Sequence, residues 1–582
     1  MLIRFRSFLR DLWRLAKPYW SSDEKWIARG LLAAVVVLNL GTVFVAVEIN
    51  KWQNAFFNSL EKKDQVEFMR LLGVFGALAF AYIVMAVYQL YLSQMLQIKW
   101  RRWLTERYLD DWLRHRIYYR MQLTDRAPDN PDQRIADDLG GFVGTTLNLT
   151  LGLLNAAVTL GSFLFILWGL SGAITIPIGD GIRVHGYLVW VALIYAVVGT
   201  WLVHVIGQPL VGLNFMQQRV EADFRFSLVR FRENTEAVAL YAGEADEKRG
   251  FMRRFVAVAD NWWGIMRRQK KLTWFQSFYG QLAVIFPYVV VAPRYFSGAI
   301  ALGGLMQTAS AFGQVQGALS WFIDAYARLA EWKATVDRLL GFRTAMDTAA
   351  GEAVSSPGVE RVLQPRADVQ TEGVMVRLPN GRVLLEDVDL VFKPGESTLI
   401  TGPSGSGKST LFRAFAGIWP FGGGRVLWPE NAHMLFLPQR PYLPIGTLRQ
   451  VLAYPSSAES FTDSAMLDAV SRCGLVHLRE RLDESQHWAL MLSGGEQQRI
   501  GFVRAWLHRP EWLFLDEASS ALDESSEQHM YELLHQLPRT TIVSIGHRPG
   551  LVALHRRQLI VQPSDAGAGR LVEAAPAASI PV

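Results

Sequence analysis

Hydrophobic and polar positions follow two different rhythms along these 582 residues. Over the first 325 residues, uncharged runs lie at 30–47, 71–98, 140–177, 184–208, 272–293 and 295–323. Each is close to or beyond the roughly 20 apolar residues that a helix needs to cross a bilayer. Six spans are the simplest count. Only Arg294 and a Gly-containing turn near 297–302 separate the last two, which predicts a tight hairpin. Between spans, 104–118 and 220–242 place apolar residues every three or four positions, so spans two to five are expected to continue as helices into the cytosol. Ahead of the first span, Phe5, Phe8, Leu9, Leu12, Trp13 and Ala16 stand at helical spacing with Arg4, Arg6, Arg10, Arg14 and Lys17 between them. This predicts an amphipathic helix on the membrane surface, over 1–25. No cleavable signal peptide is evident.

After about residue 368 the rhythm changes. Short apolar strands alternate with helical stretches, as in an α/β core. The domain plan is a surface helix (1–25), a membrane domain (26–343), a linker rich in Ala, Ser, Gly and Pro (344–367), an α/β domain (368–574) and a disordered Ala and Pro tail (575–582).

Charge orients the membrane part. The segments 100–134 and 219–271 are rich in Arg and Lys, whereas the other connections are short and poor in Arg. The positive-inside rule then puts both basic loops, both termini and the α/β domain in the cytoplasm. It also accounts for the net charge of +6 without a nucleic-acid partner. Cys473 is the sole cysteine, which excludes an intrachain disulfide or a thiol cluster.

Within the spans, Gly303, Gln307, Ser310, Gln314, Gly317 and Trp321 share one face of the sixth. They either line a substrate path or let helices approach closely. Glu48 ends the first span near its external side, as a substrate or proton site or as a solvated helix end. His204 reads as a packed or interfacial side chain.

The α/β part carries the chemistry. Residues 402–410 read GPSGSGKST, which fits G-x-x-x-x-G-K-[ST]. Gly402, Pro403, Ser404, Gly405, Ser406, Gly407 and Thr410 would wrap backbone N–H groups around a triphosphate, Lys408 would reach its outer phosphates, and the Ser409 hydroxyl would ligate Mg²⁺. An apolar strand at 512–515 delivers Asp516, which can hold Mg²⁺ or its water, and Glu517, which can polarise the attacking water. Gln439 can reach the metal and that water, and His547 stands where a γ-phosphate sensor would be useful.

With LSGGEQQR at 492–499, the SALD of Ser520 to Asp523 and His547, the set resembles the ATP-binding cassette (ABC) transporters in order and spacing. The resemblance implies a head-to-tail dimer in which Ser493, Gly494, Gly495 and Glu496 act on the partner's ATP. One cassette and six spans resemble a half-transporter, hence a homodimer. One position departs from the family: Arg377, Leu378 and Pro379 stand where many cassettes stack a Tyr on adenine, leaving apolar contact by Leu378.

NPDQRI at 130–135, FRFSLVRFRENTEAVAL at 224–240, LGGLMQ at 302–307, ALSWFIDAY and RLAEWKATVDRL resemble the SbmA/BacA-like group with its YddA-type members, relatives of the subfamily D fatty acyl-CoA half-transporters. That likeness implies a six-span α-helical membrane domain of exporter type fused to an α/β P-loop nucleotide-binding domain, with coupling segments near 130–135 and 236–245 and Gln439 as their receiver. The expected function is an ATP-driven transporter of a bacterial inner membrane carrying peptides or other bulky hydrophilic solutes. Acyl or lipid-like cargo, which a mainly apolar cavity would favour, is the alternative. A membrane-bound regulatory ATPase that transports nothing is the reading from another class.

Overall fold

In the computed structural model, residues 2–123, 130–176, 182–355, 358–563 and 568–574 are described; the tail at 575–582 lies outside them. The chain forms two compact units, Met1–Leu109 with Asn130–Phe342, and Asp110–Asp129 with Arg343–Val582.

The first unit is built on six long helices, Lys25–Glu61, Gln65–Leu113, Leu139–Ser171, Tyr187–Glu233, Glu244–Phe296 and Leu302–Ser355, the last of which runs on into the second unit. Among the described residues, five of these helices are long and apolar enough to cross a membrane. The last is more polar in its first half, where Gln307, Thr308, Ser310, Gln314 and Gln316 interrupt the apolar pattern. The preceding helix, Leu2–Trp20, is not free along its length. Its Leu15, Ala16 and Tyr19 are buried, and the Tyr19 ring stacks on Trp100 with centroids 5.6 Å apart.

Several polar residues inside this unit bond to one another, although buried Asn39 Oδ1, Asn50 Oδ1 and Gln53 Oε1 have no hydrogen-bond partner among the described residues. Asn54 donates to Gln307 Oε1 at 2.6 Å, Asn58 donates to Asn54 Oδ1 at 2.6 Å, and the Gly303 N–H donates to Asn58 Oδ1 at 2.8 Å. Asn50 adds a bond to the Gln307 carbonyl at 3.0 Å. The spacing of four places these asparagines on one face of their helix. A Cβ on Gly303 would stand 2.0 Å from the Asn54 carbonyl oxygen, so only glycine permits this approach. Farther on, Asp138 accepts from Arg134 (2.7 Å) and from Arg338 (2.7 and 2.9 Å).

The second unit contains an eleven-stranded sheet. Its centre is parallel, in the order Met434–Leu437, Trp512–Asp516, Thr541–Ile545, Thr398–Thr401 and Arg557–Pro563. Antiparallel strands follow, including Val369–Arg377, which pairs with Val383–Val388 and Gly422–Pro429. Leu513, Phe514, Val543, Leu399 and Ile400 are fully buried, as befits central strands covered on both faces.

The stretch expected to be a linker, 344–367, is largely regular. The last long helix runs through Ser355 with Met346 and Ala349 buried, and Glu360–Gln364 joins the sheet beside Gly422–Pro429. The alanines of this stretch are strong helix formers, and here they extend a helix already under way.

The first basic loop also differs from expectation. Helix Gln65–Leu113 breaks at His115 and Arg116, both left-handed (φ 50° and 59°), and restarts as Ile117–Leu123. After this break Arg116 donates to the Ala416 carbonyl at 2.8 Å, and Leu123 packs against the core around Phe412 and Phe415. Within this unit the loop thus touches the cassette through residues upstream of the expected tip at 130–135.

Candidate ATP site

Strand Thr398–Thr401 is fully enclosed by its neighbours, and the chain leaves it at Gly402 to form the phosphate loop. Gly402 has φ 148°, and a Cβ there would lie 2.9 Å from that of Val561. Gly407 has φ 93° and a similar 3.0 Å limit against Leu384. These two positions fix the loop's path, because an L side chain rarely adopts such backbone and has no space here. Helix Lys408–Phe415 starts directly after it, so its free N–H groups face the loop.

Lys408 folds back within the loop, donating to the Gly402 and Pro403 carbonyls at 2.9 and 2.8 Å. Burial pushes its pKa down, opposed by Glu517 and Asp516. Ser409 Oγ donates to Asp516 Oδ1 at 2.7 Å. Burial pushes the Asp516 carboxyl up, against the Ser409 hydrogen bond that favours its charge. Two oxygens this close fit adjacent positions on an octahedral Mg²⁺, whose ligands at about 2.1 Å stand roughly 3 Å apart. A cation would also relieve the buried carboxylate, so the donor set suits the ion.

Glu517 adopts φ 49°, a left-handed conformation that is costly for a residue with a side chain. Its N–H donates to the Ile545 carbonyl at 3.1 Å, and two side chains hold its carboxylate. His547 Nε2 lies 3.0 Å from Oε1, and Gln439 Nε2 donates to Oε2 at 3.2 Å. Three residues far apart in sequence therefore meet at one carboxylate. The resulting group can accept a proton from a water while a histidine on the other side senses charge.

Around this centre the structure adds residues to which the sequence assigned no role. Gln498 donates to the Gln439 carbonyl (3.0 Å) and Ser520 Oγ (3.1 Å), and accepts from the Ala521 N–H (2.8 Å). It thereby ties the glutamine loop to the SALD segment. Arg504 is buried, its pKa lowered to about 10 by burial, and its guanidinium donates to the Tyr442 and Val451 carbonyls at 2.8 Å. Arg548 reaches the Ser520 and Leu522 carbonyls at 3.0 and 2.7 Å. The sequence signal was present for two of them, since Gln498 lies inside LSGGEQQR and Arg548 follows His547; only their contacts were illegible.

Ser493 and Glu496 form a capping box at the start of helix Gly494–His508. The helix N–H groups form a ready anion site, but Glu496 spends its carboxylate on Ser493 rather than facing outward. Leu378 sits in a tight turn, its N–H donating to the Arg382 carbonyl at 2.8 Å, and is half-buried against the core.

Residues 15–296 match the family model for ABC transporter transmembrane region 2, and residues 385–520 match that for ABC transporter. The chloroplastic ABC transporter D family member 2 of Arabidopsis thaliana is 34% identical over 96% of this chain and 87% of its own length. The inner membrane ABC transporter ATP-binding protein YddA of Escherichia coli is 31% identical over 94% of this chain and 97% of its own.

The chain belongs to the ABC half-transporters. The family resemblance read from the motifs thus holds across both halves. The half-transporter shares its fold with a bacterial Atm1-family ABC exporter solved with ATP bound, at a TM-score of 0.71 over 94% of this chain and 96% of that one, with 18% identity. ATP hydrolysis coupled to transport follows from family and fold together.

The proposed substrate path gathers less well. Gln307 is taken up by Asn50 and Asn54 as helix packing, leaving it little freedom to meet a solute. The close-approach reading of that face accounts for Gly303 and Gln307. Ser310 and Trp321 are half-buried, and Gln314 is exposed. Glu48 pairs with Lys51 at 2.7 Å, one turn along its own helix, with a third of its side chain exposed. An apolar cavity of about 440 Å³, open at the helix surface, lies between helices Tyr187–Glu233 and Glu244–Phe296, against Ile194, Tyr195, Val198, Phe278, Tyr279 and Leu282, of which Ile194, Val198 and Phe278 are exposed.

Proposed function

We propose that the chain acts as a homodimer in a bacterial inner membrane, with cassettes and termini cytoplasmic, and drives a cargo bearing an extended apolar part across the bilayer. In this reading Glu517 is the base for the attacking water, held by Gln439 and His547, while Ser409 and Asp516 would hold Mg²⁺, which would supply charge neutralisation at the phosphates. Ser493, Gly494 and Gly495 of each copy complete the site of the other, and closure of the cassettes is passed to the long helices. YddA's location supports the membrane assignment.

The observation that carries the cargo class is the cavity between Tyr187–Glu233 and Glu244–Phe296. Its lining is almost wholly apolar, which suits a hydrocarbon chain and offers nothing to a charged peptide. Reciprocal bonds between the Tyr195 hydroxyl and Tyr279 carbonyl (2.5 Å) and between the Tyr279 hydroxyl and Tyr195 carbonyl (2.8 Å) occupy the two polar tips at its wall. This favours the acyl or lipid-like alternative over a bulky hydrophilic solute.

The test is ATPase stimulation and ATP-dependent uptake in proteoliposomes, with acyl compounds of graded chain length beside hydrophilic peptides. Val198→Trp, which narrows the cavity, is expected to weaken stimulation by the longer chains and spare basal hydrolysis. Stimulation by peptides that survives Val198→Trp would return the hydrophilic-cargo reading.

A further inference from the structure

The two oxygens of Glu496 have different partners. Oε2 accepts from the Ser493 N–H at 2.9 Å and the Ser493 hydroxyl at 2.8 Å. Oε1 lies 3.0 Å from His477 Nε2. Ser493 Oγ in turn accepts from the Glu496 N–H at 3.3 Å. His477 belongs to the short 3₁₀ segment Val476–Arg481, outside every motif above, and its side chain is 54% exposed. Burial therefore does not hold it against Glu496; the contact does. Arg499, the other charge acting on Glu496, directs Nη1 to the Gly474 carbonyl at 3.4 Å.

A carboxylate beside an anion site poses a problem. Glu496 sits in the first turn of helix Gly494–His508, whose N–H groups attract an anion, yet its own charge would repel one arriving there. We infer that His477 is a positioning residue for nucleotide binding: it holds the Glu496 carboxylate on Ser493 and back from the helix end, so that the free N–H groups of Gly494 and Gly495 can receive a γ-phosphate from a second copy of this chain. The inference rests on the role proposed for Ser493. Because only the γ-phosphate would reach this helix, ATP and ADP separate the effect from general loosening of the cassette.

The experiment is steady-state ATPase of the full-length protein in lipid nanodiscs, with ADP as competing inhibitor. His477→Ala is expected to raise the KM for ATP about 5-fold with kcat within about 2-fold, the pattern of lost binding rather than lost chemistry. Inhibition by ADP stays unchanged. His477→Gln, whose amide can still donate to Oε1, restores the KM. In a Glu496→Gln background, with no carboxylate to hold back from the helix end, His477→Ala adds no further change. An unchanged KM in His477→Ala, an equal rise in the Glu496→Gln background, or an equal loss of ADP affinity overturns the inference. Ser493→Ala separates the two levels: if it leaves hydrolysis intact, the signature reading fails, and if it impairs hydrolysis while His477→Ala does nothing, only the His477 inference fails.

Discussion

Polar side chains are used in opposite ways in the helical unit and at the ATP site. In the helical unit they close on one another: Asn58, Asn54 and Gln307 form a chain, and Asp138 is shared by two arginines. At the ATP site they converge but remain able to act outward. Glu517 is held through Gln439 and His547 on a left-handed backbone, and a whole helix terminus follows Gly407. Polar groups bonded to one another specify packing, whereas convergent groups on strained backbone specify chemistry.

The strongest way to break this contrast is Glu517→Gln. It keeps the size and the contacts to Gln439 and His547 but removes the base, so hydrolysis should fall about 100-fold or more, with ATP binding retained. Steady-state turnover and equilibrium nucleotide binding measure the two halves of that statement. Undiminished turnover would remove Glu517 from its role and place the chemistry elsewhere. A smaller effect is expected from Asn54→Ala in the helical unit. It leaves Gln307 Oε1 and the Asn58 amide without their partner and should cost about 1 kcal/mol in thermal stability, with ATP affinity unaltered. A fall in ATP affinity from Asn54→Ala would mean that the helical polar chain is not mere packing.

The same contrast explains what could be read in advance. The ATP site was legible because its chemistry demands residue types at fixed short spacing, as in GPSGSGKST, and because strand ends deliver Asp516 and His547. The helix pattern likewise gave the long helices, since apolar periodicity needs no knowledge of the partner. Contacts between distant segments were not legible. Nothing local says that Gln307 meets Asn54 rather than a solute, that Glu496 also meets His477, or that an alanine-rich stretch continues as helix to Ser355. The left-handed break at His115 and Arg116 was hidden for a related reason, because neither residue is a glycine and tertiary packing alone sustains such backbone.

A buried polar network inside the cassette sharpens the contrast furthest, with the smallest effect near neutral pH. His555 accepts at Nε2 from the Ser544 hydroxyl (2.8 Å) when Nδ1 donates to the Leu551 carbonyl (2.8 Å), and Ser544 Oγ accepts from Tyr531 (3.2 Å). Every proton here has one place to go. Protonating Nε2 would set two donors against each other, and burial already lowers the His555 pKa to about 4. The unfolded chain takes up that proton near 6.5 and the folded chain does not, so the stability present above pH 6.5 is lost as pH falls towards about 4. Melting temperature followed across this window should slope downward in the parent protein and flatten in His555→Gln, whose amide can donate to one partner and accept from the other. An unchanged slope would assign the acid sensitivity to other groups. A flattened one would show a cassette network closed on itself as the helical polar groups are. The distinction would then lie between scaffold and site rather than between membrane and water, and Ser544, three residues before His547, marks how closely the two abut.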